Sequence, residues 1–234
     1  MKLLSTFLTS ALFSSLLLVS ALAEVQKKGA EVGKWTQDYD AAIKVAAEKK
    51  VPIMLNFTGS DWCHWCKIMD EKVFAQDEWK TYAAKNAVLV TLDFPQDKTL
   101  VPDGFAERNA KLQAEFGVGG YPTFIILDSD GKTPLGQLGA SQDASPAGFI
   151  NQFKGATQLS AASVAAFLKE NPTKEPDLKA VMKESKESKK ALSDWIETAP
   201  QKTEENNTKF TAFQKRIASA EEALLKLMQP KQSE

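Results

Sequence analysis

The order of apolar and polar positions along the chain predicts alternating helices and short buried strands. Residues 38–50 begin with acidic side chains, end with lysines and carry apolar residues at helical spacing, which is typical of a helix. The apolar runs 51–57, 88–94 and 121–127 are short and bounded by turn residues, as in strands that are buried on both faces. An Asp-Ser-Asp-Gly-Lys turn then leads to a fourth strand around residues 135–138.

Two further helical patterns lie between the predicted strands. One follows the cysteines and extends to about Ala84, and the other runs from Phe105 to Phe116 and closes at Gly117. Shorter helical segments follow Pro146. Because strands that alternate with helices usually pair in parallel, we predict an α/β domain with a central sheet and the element order α-β-α-β-α-β-β-α. Only the last hairpin is expected to be antiparallel.

A change in composition divides the chain near residues 171–176, where an Asn-Pro-Thr-Lys-Glu-Pro segment predicts a linker. It separates a domain of residues 24–170 from a tail of residues 177–234 that is rich in Lys, Glu, Ser and Gln. The tail carries two helical stripes, formed by Leu178, Val181, Ser185, Ser188, Leu192 and Trp195 and by Phe210, Phe213, Ile217, Ala220, Leu224 and Leu227. Since Pro200 divides the stripes, we predict a C-terminal helical extension. It forms a hairpin on the domain, a coiled coil between two chains, or a partly disordered segment.

The segment 1–23 has the order of a secretory signal peptide. A basic start at Lys2 precedes an apolar run, and the small residues Ala21 and Ala23 fit a cleavage site before Glu24. The alternative is a retained membrane anchor, but serines break the apolar run, which is shorter than the roughly 20 residues that a membrane span requires. We therefore expect an exported protein, periplasmic or extracellular after removal of the signal peptide.

Composition and charge narrow the classes of partner. The 29 lysines and arginines nearly balance the 30 aspartates and glutamates, so charge does not indicate binding to nucleic acid or to an anionic membrane. After removal of the signal peptide about 210 residues remain, enough for one domain of ordinary size and an appendage. Export to an oxidising compartment would also allow disulfide bonds to persist.

The chain contains two cysteines, Cys63 and Cys66, and its single histidine, His64, lies between them. The pair follows a predicted strand and opens a predicted helix. Cys63 is therefore expected in the first helical turn, where unpaired backbone N–H groups and the helix dipole favour the thiolate. The thiolate is the attacking species in disulfide exchange, and Cys66 is spaced to resolve the mixed disulfide that Cys63 forms. We predict a redox-active pair in which Cys63 attacks and Cys66 resolves.

Trp62, His64 and Trp65 are predicted to tune this pair. A protonated His64 would favour the Cys63 thiolate and shift the pair toward an oxidant or isomerase, whereas the effect of Trp65 does not follow from the sequence. The alternatives are a surface histidine and tryptophans that belong to the core. A purely structural disulfide is disfavoured because closing so short a loop stabilises the fold little. A closed zinc site is disfavoured because it needs four ligands, and the chain has one histidine and no second pair of cysteines. We predict neither a metal nor a bound cofactor.

Two short motifs carry a resemblance to a known family. The sequence Trp-Cys-x-x-Cys-Lys at residues 62–67, between a strand and a helix, and Gly-Tyr-Pro-Thr at residues 120–123, before a later strand, resemble the thioredoxin superfamily. Within it, residues 56–67 and 69–74 are similar to the exported group related to the C-terminal domain of the DsbD thiol-disulfide interchange protein. The resemblance covers residues 35–155 and implies a thioredoxin fold, a mixed sheet flanked by helices.

The resemblance also implies a role for Tyr121 and Pro122. Their peptide bond is expected to be cis and to lie against the disulfide, where the backbone of Tyr121 binds a substrate chain; an ordinary trans proline is the alternative. Many thioredoxins carry a buried Asp that helps to deprotonate the resolving thiol, and Asn56 stands at the matching position. Glu48 and Asp61 are candidate substitutes for this Asp only because they are nearby in sequence. The group that accepts the proton of Cys66 is therefore left unassigned. The helical tail is a second departure from the family.

We therefore predict a thiol-disulfide oxidoreductase that exchanges electrons with cysteine-containing protein substrates through Cys63 and Cys66. Two enzymatic roles stay open. One is a reductase supplied with electrons by a membrane redox partner, and the other is an isomerase made into a homodimer by the C-terminal helices. The alternative from another class is a binding or scaffold protein, in which the helical tail contacts a partner or a second copy of the chain.

Overall fold

The computed structural model describes residues 25–229, so the signal peptide predicted for residues 1–23 lies outside the described part. A mixed sheet of five strands forms the centre of the domain, in the spatial order β1-β3-β2-β4-β5. The strands are β1 Trp35–Thr36, β2 Ile53–Thr58, β3 Val88–Asp93, β4 Thr123–Leu127 and β5 Pro134–Gly139. The predicted fold class, a mixed sheet flanked by helices with a C-terminal helical region, is confirmed.

Eight α-helices accompany the sheet in the described residues. They are α1 Tyr39–Lys49, α2 His64–Met69, α3 Asp77–Asn86, α4 Phe105–Glu115, α5 Pro146–Thr157, α6 Ala161–Glu170, α7 Glu175–Glu197 and α8 Glu204–Met228. The helix predicted from the cysteines to about Ala84 is interrupted, because a π-helical turn at Asp70–Phe74 follows α2 and Gln76 adopts an extended conformation. Asp77 and Glu78 then favour a new helix start at α3.

The direction of β4 differs from the prediction. β1 and β2 pair with β3 in parallel, but β4 is antiparallel to β2 as well as to β5. The reason is the placement of α4, which stays near the carboxyl ends of the parallel strands. Within this region the Asn109 amide donates to the carbonyl oxygen of Asp93 at 3.1 Å, and Phe116 packs against Phe57. The chain therefore enters β4 at the end of the sheet where β3 finishes. As a result, β4 runs in the direction opposite to β2 and β3.

Two apolar clusters cover the two faces of the sheet. One contains Met54, Met69 and Phe74 and lies under α2, α3 and α5, and the other contains Leu55 and Phe57 and lies under α1 and α4. Successive residues of β2 alternate between the clusters, as the pleat of a strand requires. The face that includes Met54 is therefore the one that the cysteine-bearing helix covers.

The C-terminal helices form a hairpin in which the two predicted stripes face each other. A short 3-10 turn at Pro172–Lys174 leads into α7 within the segment predicted as a linker. The rings of Trp195 and Phe213 lie 5.7 Å apart, and Leu178 and Leu224 are buried together with Val164 of α6. Across residues 25–229, no helix combines the length and the apolar character that crossing a membrane requires.

Candidate active site

The two cysteines lie where β2 passes into α2. Cys63 is the N-cap of α2 rather than a residue of its first turn, and its sulfur accepts a hydrogen bond from the backbone N–H of Cys66 at 3.2 Å. The two side chains form a disulfide, with 5.3 Å between their Cα atoms. The first backbone N–H groups of a helix have no partner inside the helix and point toward the N-cap residue. Cys63 therefore lies where a negatively charged sulfur is stabilised.

A tight turn at Gly59 positions Cys63. The carbonyl oxygen of Gly59 accepts hydrogen bonds from the N–H groups of Trp62 at 3.2 Å and Cys63 at 2.7 Å. The indole ring of Trp62 covers this glycine so closely that an added Cβ would lie 2.4 Å from the Cε2 atom of the ring. Only glycine therefore allows Trp62 to fold back beside the cysteine pair.

An exposed aromatic rim surrounds a mostly buried disulfide. Cys63 and Cys66 are 5% and 2% exposed, whereas Trp62 and Trp65 are 44% and 39% exposed. Both tryptophans therefore lie at the surface beside the pair and not in the core. His64 is exposed as well, with its ring 5.9 Å from that of Trp65. Large exposed aromatic side chains next to a reactive group are typical of a surface that binds another protein.

Tyr121 and Pro122 reach the same surface from the start of β4. Their peptide bond is cis, and both residues line a shallow cavity together with Trp65. The Tyr121 ring packs edge-on against that of Trp62 at 5.7 Å, and its hydroxyl accepts a hydrogen bond from the Gln113 amide at 2.8 Å. Burial raises the pKa of Tyr121, and the Gln113 hydrogen bond partly offsets this. Residues more than fifty positions apart in sequence thus meet beside the two tryptophans that are adjacent in sequence to Cys63 and Cys66.

Buried polar side chains lie on the sheet face that α2 covers. Asn56 pairs in register with Thr91, and Thr58 pairs with Asp93, near the carboxyl ends of β2 and β3. All four are buried. The Asp93 carboxylate accepts hydrogen bonds from the backbone N–H of Ser60 at 2.9 Å and from its hydroxyl at 2.6 Å. In the described part of the chain, the side-chain oxygen of Asn56 has no hydrogen-bond partner.

Asp70 is an acidic residue whose position the sequence patterns did not single out. It lies four residues after Cys66, at the junction of α2 and the π-helical turn. Its carboxylate keeps access to solvent, yet desolvation by the surrounding protein, and then the negative charge of Asp93, raise its pKa to about 6. The spacing of one helical turn from Cys66 was a signal that could have identified Asp70. No local pattern indicates Asp93.

The two acids considered from sequence proximity have other roles. Asp61 accepts hydrogen bonds from the backbone N–H groups of Gln96 and Asp97, and the bond from Asp97 is the main cause of its lowered pKa. Glu48 is exposed near the end of α1, where it pairs with Lys49. Within residues 25–229, no group of three or more His, Cys, Asp or Glu side chains is arranged to hold a metal ion.

Comparisons with known proteins agree with this geometry. Residues 34–129 match a family model described as thioredoxin-like. The disulfide bond reductase DsbH of Chlamydia pneumoniae is 32% identical over 123 residues, which cover 53% of this chain and 72% of that protein. A solved structure of a DsbH oxidoreductase aligns with a TM-score of 0.50 and 31% identity, covering 57% of this chain and 92% of that one.

The C-terminal domain of Neisseria meningitidis DsbD in its oxidised form is also similar, with 24% identity and a TM-score of 0.35. The alignment covers 50% of this chain and 91% of that one. The family model ends at residue 129, so helices α5 to α8 lie outside the residues it matches. On the combined strength of the DsbH match, the sheet and the Cys63–Cys66 pair, this chain belongs to the thioredoxin-like family.

Proposed function

We propose that this protein is an exported thiol-disulfide oxidoreductase that reduces disulfides of other proteins through Cys63 and Cys66. The observation that carries the proposal is the Cys63 sulfur at a helix N-cap, hydrogen-bonded by the Cys66 N–H and joined to the Cys66 sulfur. The relative DsbH is named a disulfide bond reductase, which favours the reducing direction over oxidation or isomerisation.

In the proposed cycle, the reduced protein begins with a Cys63 thiolate. This thiolate attacks one sulfur of a substrate disulfide, forms a mixed disulfide and releases the other substrate sulfur as a thiolate that takes up a proton. Cys66 then loses its proton and attacks the Cys63 sulfur, which releases the second substrate thiol and leaves the Cys63–Cys66 disulfide. The substrate has gained two electrons from the cysteine pair and two protons, one from Cys66 and one from solvent, because Cys63 began as a thiolate. A dithiol protein, in this proposal at the membrane, restores the reduced pair.

We assign the proton of Cys66 to Asp70. A general base works best when its pKa lies close to the working pH, and the pKa of about 6 at Asp70 meets that condition better than an ordinary aspartate does. Asp70 is one helical turn from Cys66, so the transfer takes place directly or through one water molecule. Asn56, which occupies the expected acceptor position, has an amide side chain that does not take up a proton.

The aromatic rim supplies the surface on which the substrate docks. Trp62 and Trp65 offer exposed rings on either side of the disulfide, and the Tyr121 backbone is the candidate partner for an extended substrate segment. His64, which is exposed next to Cys63, adds positive charge near the attacking sulfur when it is protonated. These roles explain why the residues that surround a small reactive group are large and exposed.

The C-terminal hairpin is the basis of a second candidate function, a contact surface for a partner or for a second copy of the chain. Met182, Ile196 and Phe210 expose large apolar side chains on α7 and α8. Light scattering on the wild type and on an Ile196→Glu, Phe210→Glu variant tests it. A mass of two chains that falls to one chain in the variant supports a homodimer, and an unchanged single-chain mass contradicts it.

The redox function is tested by reduction of insulin disulfides with dithiothreitol as the electron donor. The wild type is expected to accelerate precipitation of the insulin B chain, and a Cys63→Ser, Cys66→Ser variant is expected to lose this activity. Equal activity of the two proteins would overturn the proposal. Export is tested separately, by cell fractionation and by mass spectrometry of the mature N-terminus, which is expected to be Glu24.

A further inference from the structure

Asn56 presents a buried hydrogen-bond acceptor without a partner. The residue is 5% exposed, and its side-chain oxygen has no hydrogen bond within residues 25–229. A buried amide oxygen without a hydrogen bond is costly, and such atoms are rare in folded proteins. The oxygen lacks a partner in the disulfide form of the protein, in which neither cysteine sulfur carries a hydrogen atom. Reduction of the disulfide supplies an S–H donor that this form of the protein lacks.

Strand and helix geometry brings Cys66 and Asn56 to the same face of the sheet, near the carboxyl end of β2. Met54 and Asn56 lie on the same face of β2, and Met54 shares an apolar cluster with Met69 of α2. From Met54 to Asn56 the strand advances about 7 Å toward its carboxyl end. From Met69 back to Cys66 the helix advances about 4.5 Å in the same direction, because α2 starts beyond the end of β2 and returns over the sheet.

Because Asn56 and Cys66 are both buried, few other groups can compete for a hydrogen bond with the Asn56 oxygen or the Cys66 thiol. Cys66 is 2% exposed, so a thiol at this residue is shielded from bulk water. Phe124 is the register partner of Asn56 on β4 and offers only an apolar ring, while Asp93 is engaged by Ser60. An S–H group is a weak donor that gains most from an acceptor already desolvated beside it.

We propose that the side-chain oxygen of Asn56 accepts a hydrogen bond from the Cys66 thiol in the reduced protein and so favours the dithiol over the disulfide. This inference rests on the redox role proposed above for the cysteine pair. When a dithiol protein reduces the pair, two electrons pass to the pair and the S–S bond breaks. One of the two thiol protons of the donor forms the Cys66 S–H, the other is released to solvent because Cys63 is left as a thiolate, and the thiols of the donor protein become a disulfide. The acceptor oxygen of Asn56 is then satisfied.

The proposal assigns Asn56 a tuning role that an ionisable residue would not perform. An aspartate carries a charge that titrates, whereas the amide holds the Cys66 proton in place at every pH near neutrality. Asn56 therefore raises the reduction potential of the pair and makes the protein a milder reductant than one with an apolar residue at this position. Asp70 accepts the proton only when Cys66 attacks a mixed disulfide.

The first test is the redox equilibrium with glutathione of the wild type and of an Asn56→Leu variant, which keeps the branched shape of the side chain and removes the acceptor. The equilibrium of the variant is expected to shift about threefold to tenfold toward the disulfide, the effect of losing one hydrogen bond. Thr91→Val is the matched control, because Thr91 is the buried register partner of Asn56 on β3. The control is expected to stay within twofold of the wild type.

The second measurement uses the wild type alone and does not depend on the folding of any variant. The protein is labelled with ¹³C at asparagine side chains and reduced with a phosphine. The Asn56 carbonyl resonance is expected to move on reduction as it gains a hydrogen bond, and the S–H stretching band of the reduced protein is expected at lower frequency than that of a free thiol.

Three results decide the inference. An Asn56→Leu equilibrium within twofold of the wild type overturns it, and so does an equal shift in Thr91→Val, which would indicate a general effect of polarity in this layer. An Asn56 carbonyl resonance unchanged by phosphine reduction also overturns it. Failure of the wild-type pair to exchange with glutathione would instead overturn the proposed redox function, and the phosphine experiment would still decide the role of Asn56.

Discussion

The indole Nε1 of Trp62 donates a hydrogen bond to the backbone carbonyl oxygen of Phe94 at 2.9 Å. It joins Trp62, the residue that precedes Cys63, to the loop that follows β3. Phe94 in turn packs against Tyr121, with their ring centroids 5.2 Å apart. Trp62, an exposed aromatic side chain, therefore holds together the two sides of the proposed substrate surface, the cysteine-bearing segment and the segment that contains Tyr121.

Replacement of Trp62 by Phe is expected to lower the free energy of unfolding by about 1 kcal/mol, since a smaller aromatic ring replaces the indole and one hydrogen bond is lost. The KM for protein substrates is expected to rise, because the loop after β3 is no longer tied to the rim. Urea unfolding and insulin reduction measure the two effects. Trp65→Phe is the control, as it shortens a comparably exposed ring that lies against His64; equal destabilisation by both variants would contradict the role given to the hydrogen bond.

The two cysteines are expected to differ in the consequence of their removal. Cys63→Ser eliminates the attacking sulfur, so insulin reduction should fall to the rate of dithiothreitol alone. Cys66→Ala keeps the attacking thiolate and removes the resolving thiol, so substrates should accumulate as mixed disulfides. Non-reducing electrophoresis and mass spectrometry detect these adducts. Adducts on the Cys63→Ser variant and none on the Cys66→Ala variant would reverse the assignment.

Asp70→Asn is expected to change the pH dependence of stability. The folded protein raises the pKa of Asp70 to about 6, so its ionised form is the disfavoured one. The stability associated with the protonated carboxyl is complete below about pH 4 and is lost as the pH rises through 6. The variant should equal the wild type near pH 4 and exceed it by about 1 kcal/mol at pH 8, a value reduced because the side chain reaches solvent. Urea unfolding at both pH values measures this difference, and a constant difference would contradict it.

The same variant tests the assignment of the Cys66 proton. Without a carboxylate at residue 70, release of a preformed mixed disulfide is expected to slow by at least about tenfold at pH 7, and the slowing should diminish at high pH, where hydroxide replaces the base. Stopped-flow fluorescence of the neighbouring tryptophans follows the reaction. Asp61→Asn is the control, since Asp61 binds the backbone of the Gln96 loop; an unaltered release rate in Asp70→Asn would remove Asp70 from the mechanism.

Leu224→Ala is expected to separate the stability of the hairpin from the activity of the disulfide. Leu224 is 4% exposed and packs with Leu178 and Val164, so its truncation should cost about 2–4 kcal/mol in the unfolding of the C-terminal helices. Insulin reduction should be unchanged, because this cluster is distinct from the one beneath the cysteines. Hydrogen exchange resolves the two regions. A loss of activity equal to that of Cys63→Ser would show that the hairpin contributes to the site.

The sequence by itself determined the features that depend on near neighbours. Helix α1, strands β2 to β5 and the apolar stripes of α7 and α8 follow from periodicities that extend over a few residues, whereas the two-residue strand β1 was not predicted. Cys63 and Cys66 are three positions apart, and their place between a strand and a helix is likewise a local property. Such features were predictable because propensity, spacing and the helix dipole act within a few residues.

The tertiary structure decided what depends on contacts between distant segments. The antiparallel direction of β4 depends on where α4 packs, and the surface position of Trp62 depends on Phe94 and Tyr121. The raised pKa of Asp70 depends on Asp93, a residue of another strand. The unsatisfied oxygen of Asn56 also becomes apparent only when burial and hydrogen bonds are known. These properties arise from desolvation and packing across the folded chain, for which a single sequence carries no local pattern.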